Sequence, residues 1–269
     1  MTDIKGLLAM DLDGTAVGDD YRLKNLDRIA IQKAKEKGFV TAFVTGRRDM
    51  DMRSLDTEDY CVEYLVLNNG GKIIRCSDKK VIYNQRIPET ECRTLIEYCL
   101  KEQLELHICD GCFWTVNIMT DETREYADDI KMFPKRYHNA QDIDLREGLE
   151  GFMALRDFEK IGNYIDTYLS GIIYTLSEPE CIDIMADGIS KWKGIGIIAD
   201  VEKIEKENII AVGNFYNDMD MIKNAAIGIA VANAPEDVKK VADYVTERTN
   251  NENAIEEVVE RFCINPEKE

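Results

Sequence analysis

A doubly wound, mostly parallel α/β sheet with an inserted α+β domain is the fold class predicted for this chain of 269 residues. Three observations predict it. Short, nearly continuous apolar runs recur in the first and last thirds: "GLLAM", "VTAFVT", "YLVLN", "IIAVG" and "IGIAV". Runs of this kind suit parallel strands buried on both faces. Helical patterns alternate with them, which implies right-handed βαβ units. Between about Tyr83 and Asp187 the alternation breaks, and hairpin and helix signals of another kind take over.

The elements follow in order. "GLLAM" predicts the first strand. "NLDRIAIQKAKEKG" predicts a helix with Leu26, Ile29, Ile31 and Ala34 toward one side, stopped at Lys37-Gly38. "VTAFVT" and "YLVLN" predict the next two strands. In the insertion, "ETECRTLIEYCLKEQ", "DETREYADDIKMF" and "EKIGNYIDTYLSG" predict helices, and "GFMALRD" and "ECIDIMA" predict strands. Asp110-Gly111 in "LELHICDGCFWTVNI" predicts a two-residue hairpin turn. That reading is preferred to a zinc or redox pair at Cys109 and Cys112, since no second pair accompanies them. After the insertion come "IIAVG", the helix "DMDMIKNAA", "IGIAV", and a helix that Pro235 opens, with acidic residues in its first turn. The tail "CINPEKE" reads as frayed. The expected domains are a discontinuous Rossmann-like core over 1–82 and 188–269 and a cap over 83–187.

Composition excludes several functions. Lysine plus arginine is 34 against 52 for aspartate plus glutamate, a net charge of −18. General binding to nucleic acid or to an anionic membrane is not expected. No apolar run approaches the ~20 residues of a membrane span. The start "MTDIKGLLAMDLDG" lacks the pattern of a signal peptide. Eight cysteines without such a signal read as reduced thiols of a cytoplasmic protein.

The apolar runs end in polar groups. The first ends in Asp11 and Asp13, the second in Thr45, Gly46 and Arg47. The third ends in Asn68, Asn69, Gly70 and Gly71, and a late one in "GNFYND", Gly213 to Asp218. Sites in doubly wound sheets form at the carboxyl ends of the strands. If these strands are parallel neighbours, the four groups lie along one rim. Two carboxylates as close as Asp11 and Asp13 repel unless something compensates.

"DLDGT", "VTGR", "GISK" and "GNFYND", in this order, resemble the four motifs of the haloacid dehalogenase superfamily. The "LNNGG" segment and the position of the insertion resemble its Cof-like branch, with a class IIB cap. The resemblance covers nearly the whole chain. It implies magnesium-dependent hydrolysis of small phosphate monoesters, such as sugar phosphates or phosphorylated cofactors, through an aspartyl-phosphate intermediate. Carried over, Asp11 is nucleophile and Mg2+ ligand. Asp13 is the acid/base, with its backbone carbonyl on the metal. Thr45 and the Gly46 N–H bind phosphoryl oxygen, while Arg47, Asn69, Gly70 and Asn217 face the substrate. Arg48 is an equal candidate to Arg47 for reaching it. The third-motif lysine is Lys191, with Lys193 as the alternative. Asn214 and Asp218 complete the metal set. The family typically has aspartate where this chain has Asn214, which puts metal affinity and efficient catalysis in question. That residue motivates one alternative, a non-catalytic phosphometabolite-binding protein; the enzymatic alternative is a phosphomutase on the same scaffold. His107, His138, Trp114 and Tyr126 fall in the insertion; for the two histidines a packed or exposed side chain is preferred to metal binding, while for Trp114 and Tyr126 packing is as good a reading as lining the substrate. A monomer or weak homo-oligomer is expected.

Overall fold

The computed structural model describes residues 4–54, 61–178 and 181–265. In chain order the early strands are β1 (Gly6–Met10), β2 (Phe39–Val44), β3 (Tyr64–Leu67), β4 (Lys72–Arg75) and β5 (Lys80–Asn84). They are followed by β6 (His107–Asp110), β7 (Phe113–Val116), β8 (Lys135–Arg136), β9 (Gly151–Ala154), β10 (Ile172–Glu178) and β11 (Cys181–Ala186). The last are β12 (Ile209–Gly213), β13 (Ile227–Ala230) and β14 (Tyr244–Val245). The helices are α1 (Asn25–Glu36), α2 (Glu89–Glu102), α3 (Asp121–Asp129), α4 (Phe158–Tyr168), α5 (Lys191–Glu202), α6 (Met219–Asn224), α7 (Glu236–Lys239) and α8 (Ala254–Val258).

The chain divides into two compact units: Met1–Thr45, Leu55–Ile82 and Ser190–Glu269 form one, and Gly46–Ser54 with Tyr83–Ile189 form the other. The short segment Gly46–Ser54 thus groups with the insertion. The first sheet runs β14-β13-β12-β1-β2-β3-β4-β5. From β14 to β3 every pairing is parallel, and β4 is antiparallel to β3. Leu7 pairs with Ile209 on one side and Val40 on the other, so β1 is central. Its five residues are all buried, as are those of β12, which is why these runs carry no polar alternation. The predicted parallel neighbours β12, β1, β2 and β3 are adjacent.

Two local expectations are corrected. The buried face of α1 is Asp27, Ala30, Ile31 and Ala34, while Leu26 and Ile29 are 46 % and 44 % exposed. The reason is Asp27, whose Oδ1 accepts the Glu256 N–H of α8 at 2.8 Å and so draws that side of α1 inward. The hairpin turn is Gly111-Cys112 rather than Asp110-Gly111, because Asp110 pairs with Phe113. Gly111 supplies the left-handed residue, φ +56°. The tail is ordered through Cys263, which is buried; residues 266–269 of it lie outside the described residues.

In the second unit the sheet runs β10-β11-β9-β6-β7-β8. Strand alternation sends Ile108, Phe152, Ile182 and Ile184 to one face, where they join Leu95, Ile96, Ile161 and Ile165 of α2 and α4. Cys109, Trp114, Met153 and Cys181 form a second cluster with Met50, Ala127 and Ile130. Met50 is fully buried there, a burial that stabilises by roughly 1.5–3 kcal/mol. Among the described residues no helix is long and apolar enough to cross a membrane.

Asp27 leads to a pH prediction. It is fully buried, and its Oδ2 has no hydrogen-bond partner. Burial pushes its carboxyl up to about 6, with the Glu256 N–H pulling the other way. A folded pKa above the unfolded one means the folded state binds the proton more tightly. The stability from this group is complete below the unfolded value of 3.8 and is lost as pH rises through about 6. Asp27→Asn, which keeps the acceptor but not the charge, is expected to melt above the wild type at pH 8, by on the order of 3 kcal/mol. The gap should close toward pH 4. Melts across this range check it, and a gap independent of pH contradicts it.

Candidate active site

Asp11 follows directly on β1, where its N–H donates to Val212 O at 2.9 Å, prolonging the ladder to β12. The chain then turns sharply: Thr15, Ala16 and Val17 all donate N–H bonds to Leu12 O. Gly14 makes the turn possible at φ +72°, and a Cβ there would come within 2.4 Å of the Asn214 amide. Asp11 is 5 % exposed, and Asp218 fully buried.

Lys191 stands between these two carboxylates. Its Nζ donates to Asp11 Oδ1 at 2.7 Å and to Asp218 Oδ1 at 2.5 Å. It is the first residue of α5, whose N-cap Ser190 accepts the Lys193 N–H at 3.2 Å. Lys191 is 1 % exposed and faces the two carboxyl groups, whereas Lys193 is exposed. Two glycines let α5 approach. A Cβ on Gly70 would lie 2.0 Å from Ser190 O, and one on Gly194 would lie 2.6 Å from Val66 Cγ1. A helix that began elsewhere would not bring an ammonium to Asp11.

The electrostatics follow from this burial. Desolvation pushes the Asp11 carboxyl up, Asp218 and Asp13 push it further, and Lys191 draws it down. Burial alone would lower the Lys191 ammonium, but Asp11 and Asp218 more than offset that and hold its pKa above the ordinary range. Lys191 is thus a single ammonium set against the carboxyl groups of Asp11 and Asp218.

The fourth motif is built around Asp218. Its Oδ2 accepts the N–H groups of Asn214 at 2.8 Å and Phe215 at 2.9 Å. Gly213 has no room for a Cβ, which would lie 2.5 Å from the Asp218 Cβ. The Asn214 side chain turns toward the first motif. With its oxygen inward it accepts from Thr15 Oγ1 at 3.1 Å. With its nitrogen inward it donates to Asp13 O at 3.0 Å, Asp11 Oδ2 at 3.1 Å and Thr15 Oγ1 at 3.1 Å. The oxygen-inward form brings an amide, a carbonyl and a carboxylate oxygen together, which is repulsive without a cation among them. Such an all-oxygen donor set suits Mg2+. Among the described residues no group of three His, Cys, Asp or Glu side chains is placed to hold a metal, so the carbonyl and amide are needed to complete one.

Thr45 is 1 % exposed. Its N–H donates to Val66 O at 2.9 Å, and its carbonyl accepts the Asn69 N–H at 3.0 Å. Asn68, Asn69 and Gly70 take φ +51°, +53° and +108°, and Asn69 Oδ1 accepts from Asn217 Nδ2 at 3.0 Å. The structure thus brings Asp11, Lys191, Asp218 and Asn214 together, and ties Thr45, Asn69 and Asn217 into a second set. Gly46 and Arg47 belong to the second unit, where Arg47 Nη1 donates to Asp51 O at 2.9 Å.

Of the remaining candidates of the insertion, His107, Trp114 and Tyr126 are bonded and packed within the second unit. His107 is fully buried. Its Nδ1 accepts the Trp114 Nε1–H at 3.0 Å, which leaves Nε2 to donate to Glu105 Oε1 at 2.8 Å. Burial pushes its pKa down, with Glu105 opposing. Trp114 is core, and Tyr126 packs on it edge-on, ring centroids 5.5 Å apart. Arg48, which sequence alone left open, is bound into a polar cluster with Asp51, Asp183 and Tyr126. No spacing signal announced that cluster, because its members come from three separate stretches of chain.

Comparison with known proteins identifies the family. The haloacid dehalogenase-like hydrolase family matches residues 8–259. A 5-amino-6-(5-phospho-D-ribitylamino)uracil phosphatase of Bacillus subtilis is 27% identical, over 97% of this chain and 97% of its own. A phosphoglycolate phosphatase of Methanobrevibacter smithii is 25% identical, over 96% of this chain and 98% of its own. The crystal structure of a haloacid dehalogenase-like hydrolase from Bacteroides thetaiotaomicron aligns with a TM-score of 0.83 at 27% identity, covering 95% of this chain and 98% of that one. With one family spanning both the strand that carries Asp11 and the helix that carries Lys191, this chain is an enzyme of the haloacid dehalogenase-like hydrolases.

Proposed function

We propose that this enzyme is a magnesium-dependent phosphatase of small phosphorylated metabolites, with Asp11 as its nucleophile. The observation that carries the reading is the buried Asp11–Lys191–Asp218 array at the end of β1, with Asp13 in the same turn. A phosphate monoester repels nucleophiles by its own charge, so a carboxylate can attack it only where positive charge is already fixed in place. Lys191 supplies part of that charge. Asp11 Oδ2, the Asp13 carbonyl, the Asn214 amide oxygen and Asp218 are the groups that would hold Mg2+. When bound, the ion would neutralise charge on the phosphoryl group.

The chain's own groups do the rest. An Asp11 oxygen forms a bond to phosphorus as the ester P–O bond breaks, and Asp13 gives its proton to the leaving alkoxide. Water then attacks the aspartyl phosphate while Asp13 takes a proton from it. Phosphate leaves and the Asp11 carboxylate is restored. The Thr45 hydroxyl and Gly46 N–H orient the phosphoryl oxygens, and Arg47, Asn69, Gly70 and Asn217 complete the substrate's surroundings. The relatives named as phosphatases of a ribityl-pyrimidine phosphate and of phosphoglycolate support small phosphate monoesters as the substrate class.

Purified protein is expected to hydrolyse an aryl phosphate with Mg2+, and to lose that activity with a chelator. Inactivity under both conditions contradicts the reading. The neutral Asn214 favours a second reading, a binding protein with a weakened metal site. Asn214→Asp separates the two. A hard cation prefers a charged oxygen, so the magnesium midpoint for activity should fall, by roughly tenfold, with little change at saturation. A variant that gains activity from an inactive parent favours the binding protein. An unchanged midpoint means that Asn214 does not hold the metal.

A further inference from the structure

The buried pair of Lys191 and Asp218 joins the starts of two helices. Lys191 is the first residue of α5, and Asp218 is the N-cap of α6. Their side chains meet at 2.5 Å. A second link joins the same two helix starts without using either of those side chains. Asp220, in the first turn of α6, accepts the Trp192 N–H of α5 on Oδ2 at 3.2 Å. Its Oδ1 accepts the Met221 N–H at 2.7 Å, and its carbonyl accepts from Asn224 Nδ2 at 2.7 Å. Helix α6 is in turn seated on the sheet. Met221 and Ile222 are buried, and a Cβ on Gly228 of β13 would lie 1.9 Å from Ile222 O. Asp220 therefore ties the start of α5 to a helix that is itself fixed. All of these residues belong to the first unit.

We propose that Asp220 is a positioning residue that holds the Lys191 ammonium between Asp11 and Asp218. The proposal rests on the reading of Lys191 as the fixed positive charge of the phosphatase reaction. The first N–H groups of a helix have no partner inside it. Ser190 Oγ accepts the one from Lys193, but Ser190 is part of the same chain end and turns with the helix. The Trp192 N–H goes to Asp220 on another helix, so that bond resists rotation of α5 about its axis. Successive residues stand about 100° apart around a helix, and a modest rotation would swing Lys191 away from both of its acceptors. The close contacts of Gly70 and Gly194 set how near α5 comes, and Asp220 sets the angle at which it arrives. A carboxylate also suits the positive end of α5. Both Asp220 oxygens accept backbone N–H groups, so its effect on the reaction passes through Lys191.

The test uses Asp220→Ala and Asp220→Asn in the full chain, each alone and combined with Lys191→Met. Tyr64→Phe is the control. It removes the hydrogen bond from Tyr64 Oη to Glu202, at the far end of α5. Aryl phosphate kinetics with Mg2+ are measured well below each melting point, and chemical denaturation is measured beside them. Asp220→Ala is expected to lower kcat by about tenfold through misplacement of the ammonium, with KM changed by less than about twofold. Asp220→Asn keeps an acceptor for only one of the two N–H groups and should fall between Asp220→Ala and the wild type. Tyr64→Phe should lower stability alone. In the Lys191→Met background the Asp220 changes should leave turnover unmoved and cost less stability than they do alone, because the group they would misplace is gone. Wild-type kcat in Asp220→Ala overturns the proposal. So does an equal fall in kcat with and without Lys191, which would mean that Asp220 acts elsewhere. If the wild type hydrolyses nothing, the phosphatase reading fails and the denaturation cycle still decides the positioning role. Additive losses of stability overturn it, and a smaller loss in the Lys191→Met background upholds it.

Discussion

Asp11→Asn is expected to lower aryl phosphate turnover by at least about a thousandfold while the protein stays folded. An amide oxygen is a far poorer nucleophile than a carboxylate. The stability expectation comes from the neighbours. The carboxyl sits buried beside Asp218 and Asp13, both of which raise its pKa, so its charge costs the folded state energy. The variant keeps an oxygen for the Lys191 Nζ–H. Its new amide nitrogen can donate to the Asn214 oxygen when that side chain is turned inward, since the two positions are 3.1 Å apart. The melting temperature should therefore stay within about 3 °C of the wild type. Turnover and thermal melts on one preparation decide the matter. A variant that retains even a tenth of wild-type turnover removes Asp11 from the role of nucleophile.

Much of this site was legible in the sequence because it is written in local patterns. A fully buried strand needs an unbroken apolar run, and its end is marked where polarity returns. Asp11, Thr45, Asn68 and Asn214 all sit at such ends, on the adjacent strands β1, β2, β3 and β12. Motif alignment favours Lys191 over Lys193. Its burial comes from a cause spacing does not reveal, the close approach of α5 permitted by Gly70 and Gly194. Periodicity failed at α1, where it counted Leu26 and Ile29 as core. A buried Asp27 bonded to α8 shifted the helix's inner face, and no window of local sequence contains that partner. The Arg48 cluster failed for the same reason. Arg48 and Asp51 are three residues apart, but Tyr126 and Asp183 lie 78 and 135 residues from Arg48. Contacts of that separation depend on tertiary structure and leave no periodic trace.

Lys191→Met is expected to cost more stability than any other single change at the site. It removes the ammonium that faces Asp11 and Asp218, both buried, and so leaves two carboxylates without their cation. Breaking a buried pair in this way costs about 3–5 kcal/mol, and turnover should fall by about a thousandfold or more as charge compensation is lost. The loss depends on pH, and its sign is fixed by Asp11. Burial, Asp218 and Asp13 already hold its folded pKa above the unfolded value, and Lys191 opposes them. Without the lysine the folded pKa rises further. The folded state then binds that proton more tightly, so stability is retained in acid and lost as pH rises through the higher folded value. The variant should thus lie close to the wild type near pH 5 and well below it at pH 8. Chemical denaturation at the two pH values measures the difference. Asp11→Asn combined with Lys191→Met should recover part of the loss at pH 8, because one of the stranded charges is gone. Added Mg2+ should recover part of it too, by binding the folded state alone. Equal destabilisation at both pH values, with no recovery in the double variant, would mean that Lys191 holds α5 by packing and does not balance charge at Asp11.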